Sequence, residues 1–112
     1  MITKELAAAS STPIILAILA GGDDYGYSII QRVRVASHGE IQWSEGMLYP
    51  VLHRLENDGL IRAIWQTAEN GRRRKYYRLS ASGKKSLVSH RQQWEFISNT
   101  LATLWNAQPC ST

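Results

Sequence analysis

Apolar residues along the chain change their period twice, and the changes mark out the elements. Residues 2–10 are helix-compatible, with Ile2 and Leu6 on one face. Ser11-Thr12-Pro13 reads as a helix start, Thr12 being the N-cap and Pro13 the first helical residue. A longer first helix that bends at Pro13 is the alternative. Residues 14–20 are apolar nearly all round, which predicts a buried central helix, stopped by Gly21-Gly22. Asp23-Asp24 is expected to cap a second helix over residues 25–37, with Tyr27, Ile30 and Val33 at helical spacing and Gln31, Arg32 and Arg34 on the polar side. His38-Gly39 breaks it, and residues 40–43 form a short extended link. Ser44 caps a third helix whose inward stripe is Leu48, Val51, Leu52 and Leu55, ending at Gly59. Pro50 fits this helix best if regular bonding starts near Met47, which keeps the proline in the first turn.

Beyond Gly59 the period shortens. Residues 60–67 are rich in Ile, Trp and Thr, and residues 73–79 alternate charged with aromatic side chains. Asn70-Gly71 between them is a hairpin signal, since both residues tolerate positive φ. Ser80 then caps a last helix over residues 81–105. Along it Leu87, His90, Trp94, Ile97, Leu101 and Leu104 recur at spacings of three and four, the pattern of a seam for another helix. The expected fold is mainly α with a two-stranded β wing: a winged helix-turn-helix unit over residues 1–80, a dimerisation helix over residues 81–106 of the same compact unit, and a disordered tail over residues 107–112, which holds Pro109.

Composition narrows the function. With 112 residues, 44% hydrophobic and 20% charged, the chain has the size and balance of one ordinary globular domain. The net charge of +4 is unevenly placed. Arg62, Arg72, Arg73, Arg74, Lys75 and Arg78 face a single acid, Glu69, within residues 62–78. Such a cluster is either a polyanion contact or a solvated charged face. Cys110 is the one cysteine, so no internal disulfide can form, and a cytoplasmic location is the default. The longest apolar run, residues 14–20, is too short to cross a membrane. No nucleophile elbow, phosphate loop or zinc spacing is present, so neither catalysis, a cofactor nor a metal is expected.

Helix, helix, turn, helix and basic hairpin is the order of a DNA-binding winged helix. The major groove of B-DNA admits one α-helix, which needs a second helix behind it. The third helix offers Ser44, Glu45, Gly46, Met47, Tyr49 and His53 as candidate DNA contacts. Gly46 permits close approach to a phosphate, Tyr49 and His53 can donate hydrogen bonds, and Glu45 could accept from cytosine. It carries no outward Arg or Lys near its start, so the wing cations Arg72, Arg73, Arg74 and Lys75 are expected to supply much of the attraction. Trp43 and Trp65 are expected to pack in the core or against the wing, and Tyr77 with Leu79 to face the core. The competing function is a protein-interaction winged helix that does not touch DNA.

The chain resembles the PadR family of transcription repressors, whose smallest members have this size and one C-terminal helix. The resemblance runs from about Ile14 to Leu104. It rests on Gly26-Tyr27-Ser28-Ile29, on Leu48-Tyr49-Pro50, on Leu55-Glu56-Asn57-Asp58-Gly59-Leu60-Ile61, and on Arg72-Arg73-Arg74-Lys75-Tyr76-Tyr77, in that order. Met47 stands where the family commonly has Thr. The resemblance implies a homodimer on a pseudo-palindromic operator, with Tyr49 and the start of the third helix on DNA. It also implies a dimer built by the last helix and the N-terminal segment, here Ile2, Leu6, Leu87, His90, Trp94, Ile97, Leu101 and Leu104. Some members bind flat aromatic compounds at that interface, which makes Trp94 the candidate effector contact.

Overall fold

The computed structural model describes residues 2–107. Apart from Ala107, the expected disordered tail, with Pro109 and Cys110, lies outside the described residues. Seven elements follow one another: α1 (Lys4–Ala20), β1 (Asp24–Tyr25), α2 (Gly26–Ala36), α3 (Glu45–Asn57), β2 (Ile61–Thr67), β3 (Arg73–Leu79) and α4 (Ala81–Asn106).

The longer first helix is the one observed. Thr3, not Thr12, is the N-cap, its hydroxyl accepting from the Leu6 N–H at 3.2 Å. Pro13 lies inside α1. Its missing N–H frees the Ala9 carbonyl, and Ala9 is exposed, so water can serve that carbonyl. Thr12 instead accepts from Arg54 Nη2 at 3.0 Å, which ties α1 to α3. Ile15, Leu16 and Leu19 of α1 are buried at the centre of the core, among Ile29, Ile30 and Val33 of α2 and Leu48, Leu52 and Leu55 of α3. Trp43, Ile61, Tyr77 and Leu79 complete it, as expected of Trp43 and of the Tyr77–Leu79 pair.

Two expectations for α2 are corrected. Tyr27 is 59% exposed, and the inward stripe is Gly26, Ile29, Ile30 and Val33. Both stripes have helical spacing, and glycine, with no side chain, adds no apolar signal to the one it begins. Asp23 and Asp24 do not cap the helix. The backbone of Asp24 and Tyr25 is spent in β1, which pairs with β3 through Asp24 opposite Tyr77 and Tyr25 opposite Tyr76. The carboxylates hold arginines instead. Asp24, buried, accepts from Arg32 Nη1 at 3.1 Å and from the Tyr25 N–H at 2.9 Å. Asp23 accepts from Arg78 Nη2 at 2.8 Å and Nε at 3.0 Å, and that hydrogen bonding holds its carboxyl below the usual carboxylate range.

The expected two-stranded wing is thus part of a three-stranded antiparallel sheet ordered β1-β3-β2. β2 and β3 pair from Ile61 opposite Leu79 out to Thr67 opposite Arg73. The turn at the tip differs from the expected one, since only Gly71 has positive φ (83°) and Asn70 does not. The Gly71 N–H donates to the Ala68 carbonyl at 2.9 Å and the Ala68 N–H to the Arg72 carbonyl at 2.8 Å. This is a longer loop with one left-handed residue, in which Asn70 acts through its side chain, accepting from the Arg72 N–H at 3.0 Å.

α3 starts at Glu45 with Ser44 as cap, accepting from the Met47 N–H at 3.2 Å. Pro50 is therefore inside the helix and not in its first turn, and it leaves the Gly46 carbonyl without a helical donor. Ser80 caps α4, accepting from the Gly83 N–H at 3.0 Å while donating to the Gly59 carbonyl at 2.6 Å. Gly83 is buried, and a Cβ there would overlap the Leu60 carbonyl oxygen. That close approach seats the start of α4 on the base of the hairpin. Among the described residues no helix is long and apolar enough to cross a membrane.

Candidate nucleic-acid interface

α3 buries Leu48, Leu52 and Leu55, so its other side is left outward: Glu45, Gly46, Met47, Tyr49 and His53 are all exposed, as is the capping Ser44. Gly46 meets nothing closer than Ser44 Oγ at 3.7 Å from an ideal Cβ. Among the described residues no packing requires a glycine there, and its bare backbone is open to an outside body. Tyr49 is different. Its hydroxyl lies over Gly26, where a Cβ would come within 2.6 Å of it. Gly26 thus lets the Tyr49 ring lie across the start of α2.

The wing brings its cations to the same region but presents them differently. Arg72 and Arg73 are exposed, whereas Arg74 and Lys75 are half-buried. Side chains alternate along β3, so Arg73 and Lys75 share one face and Arg74 takes the other. The Arg74 guanidinium lies 4.1 Å from the centre of the Tyr25 ring. Lys75 Nζ is 5.4 Å from the Tyr77 ring and 4.0 Å from Glu56 Oε1 of α3, a loose ion pair. Tyr77 itself is buried, and burial pushes its phenol up to about 12. A groove of about 400 Å³ is lined by Tyr25, Gly26, Tyr27, Tyr49, Arg74 and Lys75. It is the meeting place of α3, the start of α2 and the wing. The sequence reading did not assign Tyr25, Gly26 or Tyr27 to the site. The signal available was Gly26-Tyr27 itself, read there only as part of a helix.

The expected seam residues of α4 divide. Leu87, His90 and Trp94 are half-buried and line, with Pro13, Ile14 and Ala17 of α1, a groove of about 570 Å³. Ile97, Leu101 and Leu104 are exposed, as are Ile2 and Leu6 near the N-terminus. Trp65, expected to be packed, is 56% exposed with Arg73 over its ring. Among the described residues no group of three or more His, Cys, Asp or Glu side chains could hold a metal ion.

Known proteins agree with this geometry. Residues 15–89 match the Transcriptional regulator PadR-like family. The Transcriptional regulator Rv3488 of Mycobacterium tuberculosis is 35% identical over 92 residues, covering 82% of each chain. A crystal structure of a PadR-like transcriptional regulator from Bacillus cereus superposes with a TM-score of 0.84 at 26% identity, covering 94% of this chain and 100% of that one. A PadR family transcription regulator from Clostridium difficile gives 0.74 at 33% identity, covering 86% and 98%. On the matched residues and the shared winged-helix fold, the chain belongs to the PadR-like family of transcriptional regulators, which are DNA-binding proteins and not enzymes.

Proposed function

We propose that the protein is a homodimeric repressor, working in the cytoplasm, which binds a pseudo-palindromic operator in double-stranded DNA and is released by a small aromatic or hydrophobic effector. The observation that carries this reading is the convergence of the exposed start of α3 with the cationic strand β3 on one groove. In this reading α3 enters the major groove. Ser44 and Gly46 lie against phosphate, and Glu45, Met47, Tyr49 and His53 lie near base edges. Arg72, Arg73, Arg74 and Lys75 neutralise backbone charge.

Dimerisation is supported by the exposed apolar stripe Ile97, Leu101 and Leu104, which continues the half-buried series Leu87, His90 and Trp94. Ile2 and Leu6 add exposed apolar surface at the other end of the chain. A two-fold dimer sets its recognition helices roughly 34 Å apart, one turn of DNA. The groove beside Trp94 is lined on its α1 side by Pro13, Ile14, Ala17 and Ala20, with Ser10 the one polar residue there, and suits a flat effector. Such a molecule shifts the protein between DNA-bound and free forms only by its unequal affinity for them.

The test is binding to duplexes from the protein's own upstream region against random DNA at two salt concentrations. The expected result is a preference for the upstream duplex and a steep loss of affinity with salt, lessened in Arg73→Ala/Arg74→Ala. Binding no tighter than to random DNA at either salt would refute an operator in that region.

A further inference from the structure

Along the inward face of β2, burial falls as the strand leaves the body: Ile61 is buried, Ala63 half-buried, and Trp65 more than half exposed. Trp65 therefore contributes little to the core, and a large exposed indole on a cationic wing calls for another account. Its neighbours supply one. Lys75 stands directly opposite Trp65 in the strand pairing, but its ammonium is turned toward Tyr77 and Glu56. Arg73, diagonal to Trp65 on the same face, places its guanidinium 5.2 Å from the indole centre. Among the described residues Arg73 makes no ion pair, so the indole is its sole aromatic or charged partner. A long, exposed arginine close to the wing tip is thereby held by a ring in place of a carboxylate, and its charge remains available.

We propose that Trp65 is a positioning residue of the wing: it pre-aims Arg73 into the minor groove beside each half-site, so that the protein prefers narrow, A·T-rich flanks. The inference rests on the DNA-contact assignment of α3 and the wing, and within it moves Arg73 from the backbone phosphates to the adjacent minor groove. With α3 in the major groove, a hairpin extending beside it reaches the adjacent minor groove. A narrow A·T minor groove concentrates negative potential and attracts an inserted arginine. An arginine already held in one orientation gives up less side-chain freedom on entry. The selectivity arises from groove shape, at base pairs whose edges are not read.

Selection from a random duplex library tests this without a known operator. The wild type is expected to enrich half-sites with A·T-rich flanks, and Trp65→Ala to enrich the same half-sites with unbiased flanks. Against two duplexes differing only in A·T or G·C flanks, Trp65→Ala should lose about two- to fivefold on the A·T duplex, the size of one exposed cation–π contact, and nothing on the other. Trp65→Phe keeps a ring under Arg73 and should restore the preference, and Arg73→Ala should abolish it. Unbiased flanks in the wild type, or an equal loss on both duplexes in Trp65→Ala, would overturn the proposal. A library with no enriched half-site would overturn the DNA-contact assignment and this inference together.

Discussion

The two halves of α4 carry one repeating pattern and meet two different fates. In the first half Gly83 is buried against the Leu60 carbonyl, and Leu87, His90 and Trp94 lie half-buried along α1. From Glu95 to the end of the helix every residue is exposed, including Phe96, Ile97, Leu101, Leu104 and Trp105. The helix is about 39 Å long at 1.5 Å per residue, in a molecule whose longest extent is 67 Å. Heptad-like spacing thus reports that a helix has something to cover. It does not report what covers it: the chain's own α1 supplies part of the cover for the first half, and the second half is left exposed.

The strongest way to break this comparison is to charge the second half alone. Leu101→Glu/Leu104→Glu removes two apolar side chains, each worth about 1.5–3 kcal/mol when fully buried. If a second copy covers them, dimer affinity should fall by at least about 100-fold, read by sedimentation across a dilution series. Helix content by circular dichroism should stay that of a folded chain, because neither leucine touches the core cluster. An unchanged oligomeric state would remove the seam from the second half of α4.

Gly83→Ala tests the first half in the opposite sense. The added methyl collides with the Leu60 carbonyl and with Leu79 Cδ1. Backbone cannot yield cheaply, and overpacking of this kind costs about 1–3 kcal/mol. A urea titration should show that loss at constant protein concentration. A variant as stable as the wild type would mean that α4 is not seated there.

How far the sequence could be read follows the same division. The three-helix core and the hairpin were legible because apolar spacing and Asn70-Gly71 are local signals. The illegible parts depended on partners remote in sequence. Asp23 and Asp24 look like caps until Arg78, far along the chain, and Arg32 are seen beside them. β1 has only two residues and exists because β3 offers it a free edge. Pro13 looked like a helix start because proline favours that position, yet its place in the helix interior is tolerable where Ala9, whose carbonyl loses its helical donor, is exposed. Within the site, the α3 residues and wing cations were legible by type. The Tyr49–Gly26 contact and the Arg73–Trp65 stack required three dimensions.

On the body side, a smaller effect is expected from Tyr77. Among the described residues its buried hydroxyl has no hydrogen-bond partner, and burial raises its pKa from 10.0 to about 12. The fold favours the neutral phenol. Tyr77 therefore takes no stability from the fold below pH 10, and its ionisation in the unfolded chain removes stability progressively as the pH rises from 10 through about 12. Tyr77→Phe should flatten the stability profile between those values without weakening the protein at neutral pH, as thermal melts across the alkaline range would record. An unchanged alkaline profile would assign the loss to other groups.

The smallest effect is expected where the two halves of α4 join. Arg91 and Glu95 form an ion pair at 3.7 Å, with side chains 72% and 66% exposed. Its order, cation first, is the less favourable one along a helix. In the isolated chain such a pair is worth about 0.5 kcal/mol at most, and salt screens it. Glu95→Gln should therefore leave the melting temperature of dilute protein almost unchanged. The same substitution becomes informative at high protein concentration. If the partner's helix covers this stretch, the pair sits in a drier setting, where breaking it leaves a less well-solvated guanidinium and costs more. A penalty that appears only on concentrating the protein would extend the seam back to Glu95. A penalty absent at every concentration would place its boundary beyond that residue, toward Ile97.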